Sequence, residues 1–401
     1  MVETCIRKGL GLKAHRVMAV REQEDVLVAE IERFGRRRLR CSGCGGVAKH
    51  TAGRRPLRRW RDLRLRDRPL VLAYRPYRVR CPRCGVRVEH VPWAARWARV
   101  TTALARAVAV LARQLSWAEV AAHFGLDWKT VAAIIREAVA TGLRRRRWYP
   151  LHVIGIDEVS RAKGQQYLTL VYDLERRRLV WAGEGRTRDA IDGFFRWLGR
   201  RRGRAVRIVC CDMWDPYVQA VQTHLPHAQL VFDRFHIVQH LNRAVDTVRR
   251  QAWRQLTGPE RPTFKRTRWL WLKNPWNLKP AERRRLSTLC RLNLPIVRAY
   301  LLKEEFQRFW DYVRAGTAGR HLTYCLSWAM RSRLEPMKAF ARMIKAHLPG
   351  ILAWTRLRIS NGAVEGMNNK VKVIAHRAYG FRKPATYITA IYHCCADLPL
   401  P

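Results

Sequence analysis

From Leu151 onward the apolar residues switch repeatedly between two periods, and this alternation constrains the fold more than any other feature of the chain. "LHVIGID" reads as a short apolar strand expected to end at Asp157. "QYLTLVYDL" and "RLVWAGEG" are two further strands joined by the turn-like "ERR". "TRDAIDGFFRWLGRR" has helical spacing, "VRIVCCD" is a buried strand ending at Asp212, and "DPYVQAVQTHLP" is a helix. "AQLVFD" is a fifth strand, ending at Asp233, and the long helix "RFHIVQHLNRAVDTVRRQAW" follows it. Three strands, helix, strand, helix, strand, helix predict a mixed α/β layer. From about residue 254 to 350, Trp, Arg, Leu and Glu recur at helical spacing between prolines, which predicts a helical insertion.

Asp157 and Asp212 thus close two apolar strands. If those strands are neighbours, both carboxylates leave one sheet edge, where desolvation and mutual repulsion penalise them. A divalent cation removes that penalty, and Mg²⁺ typically takes one or two protein carboxylates. A third carboxylate comes from "SNGAVEGMNNKVKVIAHRAYG", Ser360 to Gly380, whose one acid is Glu365. Val364, Met367, Val371 and Ile374 share a helical face, and Glu365 sits beside it. Its neighbours three and four residues away are Asn361, Gly362, Asn368 and Asn369, so a helical salt bridge is missing, and the asparagines can orient a carboxylate or a phosphate without neutralising it. Packed on the sheet edge, this helix would complete a two-metal site for in-line displacement at phosphorus. Each acid also has an ordinary reading, as a cap, a turn residue or compensation of a helix dipole.

Charge points the same way. Against 79 Lys and Arg stand 31 Asp and Glu, a net charge of +48. Such a field repels itself unless a polyanion screens it, and nucleic acid is the first candidate. GC-rich coding explains arginine over lysine but not the shortage of acids. No signal peptide and no bilayer-length apolar run are read, so no membrane partner is expected. The 11 cysteines are scattered except for two Cys-x-x-Cys pairs, Cys41 with Cys44 and Cys81 with Cys84. That usage fits metal ligation in a reducing cytoplasm, not a disulfide framework.

Each pair is followed by glycine, the sequence of a zinc knuckle. The 36 residues between the pairs alternate basic and apolar, and a strand hairpin would bring the four thiols together as a structural Zn²⁺ site. His50 and His90 are spare candidates that read as surface histidines. "TTALARAVAVLARQL" and "SWAEVAAHFGLDWKTVAAIIREAV" then give three helices, with a capping box at Ser116 and Glu119 and a break at Gly125-Leu126-Asp127. This is a helix-turn-helix layout with Trp128 to Glu137 as recognition helix. Its candidate DNA contacts are Trp128, Lys129, Thr130 and Arg136, and Arg144, Arg145, Arg146 and Arg147 form a basic linker.

The strings "IGIDEVSRAKGQQYLTLVYDL", "CDMWDPYVQAVQTHLPHAQLVFDRFHIVQHLNRAVDTVRR" and "SNGAVEGMNNKVKVIAHRAYGFR" resemble the ISL3 family of bacterial insertion-sequence transposases over nearly the whole chain. The resemblance implies an RNase H-like core with a mixed five-stranded sheet, interrupted by a helical insertion and preceded by a zinc ribbon and an all-α helix-turn-helix domain. It implies a DDE triad of Asp157, Asp212 and Glu365, with Asp233 and His236 of "DRFH" as auxiliary candidates. The expected segments are 1–97 (zinc ribbon), 98–147 (helix-turn-helix), 148–253 (first part of the core), 254–350 (insertion) and 351–401 (core with the Glu365 helix). The expected cofactors are two Mg²⁺ or Mn²⁺ per active site and a structural Zn²⁺. The expected partners are double-stranded DNA, as terminal inverted repeats and target, and further copies of the chain in a homodimer or larger assembly. The expected location is the bacterial cytoplasm, at the nucleoid. Lys370, Lys372 and Arg377 would contact DNA near the scissile phosphate, and Trp271 or Trp276 would stack on an unpaired base. The alternatives are an RNase H-like nuclease without strand transfer and a non-catalytic DNA-binding regulator.

Overall fold

The computed structural model describes residues 10, 12, 14–35, 38–162, 164, 166–257, 260–292, 294–359 and 362–400. The chain forms two units, Met1–Arg147 with Leu398–Pro401, and Trp148–Asp397.

In the first unit, Glu24 and Asp25 both take positive φ, the two-residue turn that suits strand twist, and join β1 (His15–Gln23) to β2 (Val26–Arg33). Short strands β3 (Leu39–Arg40), β4 (Val47–Ala48) and β5 (His50–Arg54) follow, then β6 (Arg58–Leu65), β7 (Arg68–Tyr74), β8 (Tyr77–Cys81) and β9 (Gly85–Val88). β6 and β7 form a hairpin around Arg66-Asp67, and β5 pairs antiparallel with β8 in continuation of it. This hairpin brings the two cysteine pairs together, as the alternation of basic and apolar residues between them predicted. The sequence reading did not foresee that β7 also pairs in parallel with β2, giving a four-stranded sheet in the order β1-β2-β7-β6. One core packs Val17, Ile31, Leu72 and Tyr74 around Trp60 and Trp93, which meet edge to face at 5.8 Å.

The helices are α1 (Thr102–Leu111), α2 (Trp117–Phe124) and α3 (Trp128–Arg145). Thr101 caps α1 by accepting from the Leu104 amide at 3.1 Å, and its hydroxyl donates to Asp62 of β6 at 2.6 Å. The expected capping box is present: the Glu119 amide donates to Ser116 Oγ at 3.2 Å, and the Ser116 amide to the Glu119 carboxylate at 2.8 Å. Gly125, at φ 60°, closes α2 in the left-handed conformation that glycine adopts without strain. Asp127 opens α3, accepting from the Lys129 amide at 2.7 Å. α3 runs eight residues past the expected end at Glu137, because Val139 and Gly142 keep its buried face going. Among the described residues no helix is long and apolar enough to cross a membrane.

The second unit begins with β10 (Val153–Ala162), β11 (Gln166–Asp173) and β12 (Arg178–Glu184). Then come α4 (Arg188–Gly203), β13 (Ile208–Cys211), α5 (Asp215–His224), β14 (Gln229–Phe232) and α6 (Arg234–Gln255). The sheet order is β12-β11-β10-β13-β14, with β10, β11 and β12 antiparallel in turn and β13 and β14 parallel to β10. The mixed five-stranded sheet is therefore as expected. One boundary is corrected: β10 does not end at Asp157. Glu158 to Ala162 stay paired with β11, whereas β13 stops at Cys211. Asp157 lies mid-strand, at the point where β10 loses its parallel neighbour.

Among the described residues seven α-helices separate α6 from the Glu365 segment: α7 (Glu260–Phe264), α8 (Arg268–Leu272), α9 (Pro280–Cys290), α10 (Pro295–Gln307), α11 (Ala315–Arg331), α12 (Glu335–Ala346) and α13 (Leu348–Leu357). They share one apolar core with the sheet. A Cβ on Gly350 of α13 would lie 2.5 Å from the Phe232 ring of β14, so only glycine fits there. α14 (Gly362–Arg377) and α15 (Pro384–Cys395) complete the unit. α14 approaches β10 at Gly155, where a Cβ would meet Val364 at 2.6 Å.

Candidate active site

The parallel ladder aligns three aspartates. Gly155 pairs with Cys210, so two residues on Asp157 stands level with Asp212. Cys211 pairs with Phe232, so Asp212 stands level with Asp233. Residues level on adjacent parallel strands share a face of the sheet. His236, in the first turn of α6, lies among them. Its Nε2 is 4.0 Å from Asp157 and 3.7 Å from Asp233, and its Nδ1 is 3.8 Å from Asp212. In a chain so rich in cations, no Lys or Arg among the described residues pairs with Asp157 or Asp212.

Asp157 is held above the ordinary carboxylate range, chiefly by burial. The Glu158 amide, which donates to its Oδ1 at 2.8 Å, and His236 oppose that rise, while Asp233 and Asp212 add to it. Asp212 accepts from the Met213 amide at 2.7 Å. Asp233 caps α6 through the Phe235 amide at 3.0 Å. The neighbouring acid, Glu158, is neutralised by structure: Arg186 pairs with it at 2.8 Å and Tyr217 donates to it at 3.2 Å.

Glu365 lies exposed in the first turn of α14. Two contacts bracket it and fix its helix to β10. Val364 fills the space above Gly155, and buried Asn368 donates to Asp157 Oδ2 at 2.7 Å while accepting from Tyr172 Oη at 2.7 Å. Sequence reasoning placed Asn368 beside Glu365 as a residue able to orient a carboxylate or a phosphate; the carboxylate it meets is that of Asp157. Ser360 and Asn361 lie outside the described residues. The donor set is all oxygen and short of cations, which fits Mg²⁺ or Mn²⁺.

The four cysteines are the one group of three or more His, Cys, Asp or Glu among the described residues whose ligand atoms all lie within 4.8 Å of one another. Cys44 and Cys81 sulfurs are 3.5 Å apart, near the roughly 3.8 Å edge of a tetrahedron with Zn–S bonds of about 2.3 Å. A Cβ on Gly43 would come within 3.3 Å of Cys84 Sγ, and one on Gly46 within 3.2 Å of Cys44 Sγ. The knuckles are thus shaped around sulfur, and the cluster could hold zinc. His50 and His90 are exposed and outside it.

On α3, Trp128, Lys129 and Arg136 are exposed and Thr130 is half-buried. Arg144, Arg145 and Arg147 are exposed, Arg144 pairing with Glu137 at 3.3 Å. Arg146 corrects the expectation of a wholly exposed linker: it is 7% exposed, because the chain leaves the helix there and turns this side chain inward. Lys370 and Lys372 are exposed, whereas Arg377 is half-buried and donates to Cys394 Sγ at 3.2 Å. Trp271 is fully buried against Phe264 and Tyr300 and has no face for a base. Trp269 and Trp276 are the exposed tryptophans of that region, at 59% and 69%.

A thiolate-rich ribbon, a helix-turn-helix and a sheet that aligns carboxylates under one helix define a DNA-processing enzyme. Comparison with known proteins makes the class specific. Residues 154–391 match the DDE family of ISL3 elements, described as "Transposase", and residues 89–139 match the "Helix-turn-helix domain of transposase family ISL3". The chain is 34% identical over 346 residues to the transposase for insertion sequence element IS1001 of Bordetella parapertussis, covering 85% of each chain. It is 33% identical over 374 residues to the transposase for insertion sequence element IS1557 of Mycobacterium tuberculosis, covering 87% of this chain and 84% of that one. The chain belongs to the ISL3 family of DDE transposases, enzymes that cut and join DNA.

Proposed function

We propose that this transposase binds the terminal inverted repeats of its element, cuts at their ends and joins the freed 3′-OH groups to target DNA within one site formed by Asp157, Asp212 and Glu365. The observation that carries the reading is the docking of α14 on β10 around Glu365, by the 2.7 Å bond from Asn368 to Asp157 and the Val364 contact at Gly155. Strand order supports an RNase H-like core: in sequence order the strands run 3-2-1-4-5, with the second antiparallel to the first.

Asp157, Asp212 and Glu365 would hold the divalent metals, with Asp233 and His236 beside them. When bound, such metals activate water and stabilise the attacking and leaving oxygens of an in-line displacement. The chain's own residues do the rest. Asn368 fixes which Asp157 oxygen faces the site, and His236 offsets the repulsion among the aspartates. Trp128, Lys129, Thr130 and Arg136 would read bases from the major groove, while exposed Arg144, Arg145 and Arg147, with Lys370 and Lys372, would hold phosphates. Cys41, Cys44, Cys81 and Cys84 would hold Zn²⁺ and so the shape of the ribbon. The functional segments would be 1–97, 98–147, 148–253, 254–350 and 351–401. Two element ends call for two such sites, hence a dimer or larger assembly on DNA at the bacterial nucleoid.

A nuclease of the same fold would cut without joining. The reading predicts that a pre-cleaved end duplex with a free 3′-OH, incubated with protein, Mg²⁺ and supercoiled plasmid, yields plasmid covalently carrying the end. Nicked plasmid without joined end would favour the nuclease.

A further inference from the structure

A cleft of about 790 Å³ in the first unit lies between the second cysteine knuckle and the segment that leads into α1. Arg55, Arg58, Arg59, Arg78, Arg87, Arg96 and Arg99 line it, and none of its lining residues belongs to α1, α2 or α3. Its one acid is already engaged. Glu89 is 3% exposed, accepts from Tyr74 Oη and the Tyr77 amide, both at 2.7 Å, and pairs with Arg33 at 3.3 Å. Elsewhere in this unit arginines find carboxylates: Arg16 with Glu32, Arg21 with Glu30, Arg68 with Glu22. Among the described residues no carboxylate pairs with any of the seven cleft arginines.

Arg58 is the centre of this imbalance. It is half-buried, donates to the Ala98 carbonyl at 3.2 Å and lies over the Trp60 ring at 4.9 Å. Burial lowers its pKa, and the charges of Arg99 and Arg55 lower it further. Like charges gathered without a counter-ion carry a free-energy cost that a bound anion removes. Trp97 adds a second, independent signal. It is 72% exposed at φ 66°, a left-handed conformation that a bulky side chain rarely adopts. It lines the same cleft with exposed Leu57 and Val86, and Arg96 lies over its ring at 5.5 Å. Cations interleaved with apolar surface match a chain in which phosphates alternate with deoxyriboses. A single small anion would leave most of the seven arginines unused.

We propose that this cleft is a backbone-binding site for duplex DNA, in which the arginines take consecutive phosphates of one strand and Trp97 packs on the sugar between them. It rests on the DNA-binding reading above and assigns a sequence-independent share of that binding to residues outside the helix-turn-helix. The experiment is fluorescence anisotropy of the full chain on an end duplex and a scrambled duplex, across a salt series. Parent protein is compared with the double variant Arg55→Gln/Arg99→Gln, both positions being exposed. The variant is expected to lower the slope of log K against log salt by about 2, at about 0.9 per phosphate contact. It should weaken both duplexes alike, leaving their ratio unchanged. The free variant should melt no lower than the parent, since two charges that crowd Arg58 are gone; a merely structural role predicts the opposite sign. An unchanged slope, or a loss confined to the end duplex, would overturn the proposal. If the variant melts lower, Arg96→Gln repeats the test with an expected slope change of about 1, and an unchanged slope there overturns the proposal equally. A parent that shows no salt-dependent DNA binding would instead sink the DNA-binding reading itself.

Discussion

Asp157→Asn is expected to reduce DNA cutting by on the order of 10³-fold or more while leaving the metal-free protein as stable as the parent, or more so. The reason lies in where this carboxylate sits. It stands level with Asp212 and near Asp233, and burial holds it above its ordinary range. A carboxyl raised in this way contributes stability that is fully present below its unfolded pKa and is lost as pH rises through the folded value. Once ionised, the group is therefore a cost to the fold, and a neutral amide relieves it. The side chain that replaces it can still accept one of the two bonds that Asp157 accepts from the Glu158 amide and Asn368. Calorimetry in chelator should show the variant's melting temperature gaining on the parent's as pH rises above the ordinary carboxylate value of about 4. Added Mg²⁺ should raise the parent's melting temperature by mass action and leave the variant's nearly unchanged. A variant that melts well below the parent, or still cuts end DNA at a comparable rate, would refute this assignment.

Cys41→Ser, or removal of metal by a strong chelator, should abolish DNA binding by at least 100-fold without unfolding the second unit. The ribbon cannot stand on its own core. Its buried apolar cluster holds only Cys41, Ala48, Val79 and Cys81, with Leu39, Tyr77 and Cys84 partly buried around it. So small a core needs a cross-link or a metal, and zinc contributes on the order of 10 kcal/mol to folding in comparable small domains. The sheet of β1, β2, β6 and β7 has a separate core around Trp60 and Trp93 and should survive in part. The checks are metal content by mass spectrometry and amide exchange. One zinc per parent chain should fall to near zero in the variant, and fast exchange should be confined to the ribbon strands, Leu39–Arg40, Val47–Ala48, His50–Arg54, Tyr77–Cys81 and Gly85–Val88, and their knuckles. Zinc-free parent protein with full DNA binding would contradict the ribbon.

Much of this was legible because local chemistry and global fold agree along β10 to α6. Each of those strands is a nearly unbroken apolar run, each helix has a clear face, and the aspartates punctuate the run ends. What was hidden depends on pairings between distant segments. The parallel contact of β2 with β7 joins residues more than 40 positions apart and leaves no local trace. The position of His236 among three carboxylates needs both the register of β13 with β14 and the first turn of α6. Arg186 reaches Glu158 from the far end of β12. Arg146 and Trp271 were misjudged for one reason. A run of like residues at a helix end or in a short helix sends alternate side chains in opposite directions, and only packing decides which are buried. For Asn368 the ability to orient a carboxylate was legible from its place beside Glu365, but not which carboxylate, since its partners Asp157 and Tyr172 lie some 200 residues away.

The union of Glu365 with Asp157 and Asp212 in one catalytic site is the centre of the account, and single-turnover cutting of an end-bearing duplex by Glu365→Gln in Mg²⁺ tests it most directly. Glu365 is exposed and makes no ion pair with a Lys or Arg among the described residues, so its replacement should alter neither folding nor affinity for the duplex. The account predicts intact binding, an unchanged melting temperature in chelator and a loss of cutting as severe as that of Asp157→Asn. Cutting at the parent rate by a folded, DNA-bound Glu365→Gln protein would contradict it.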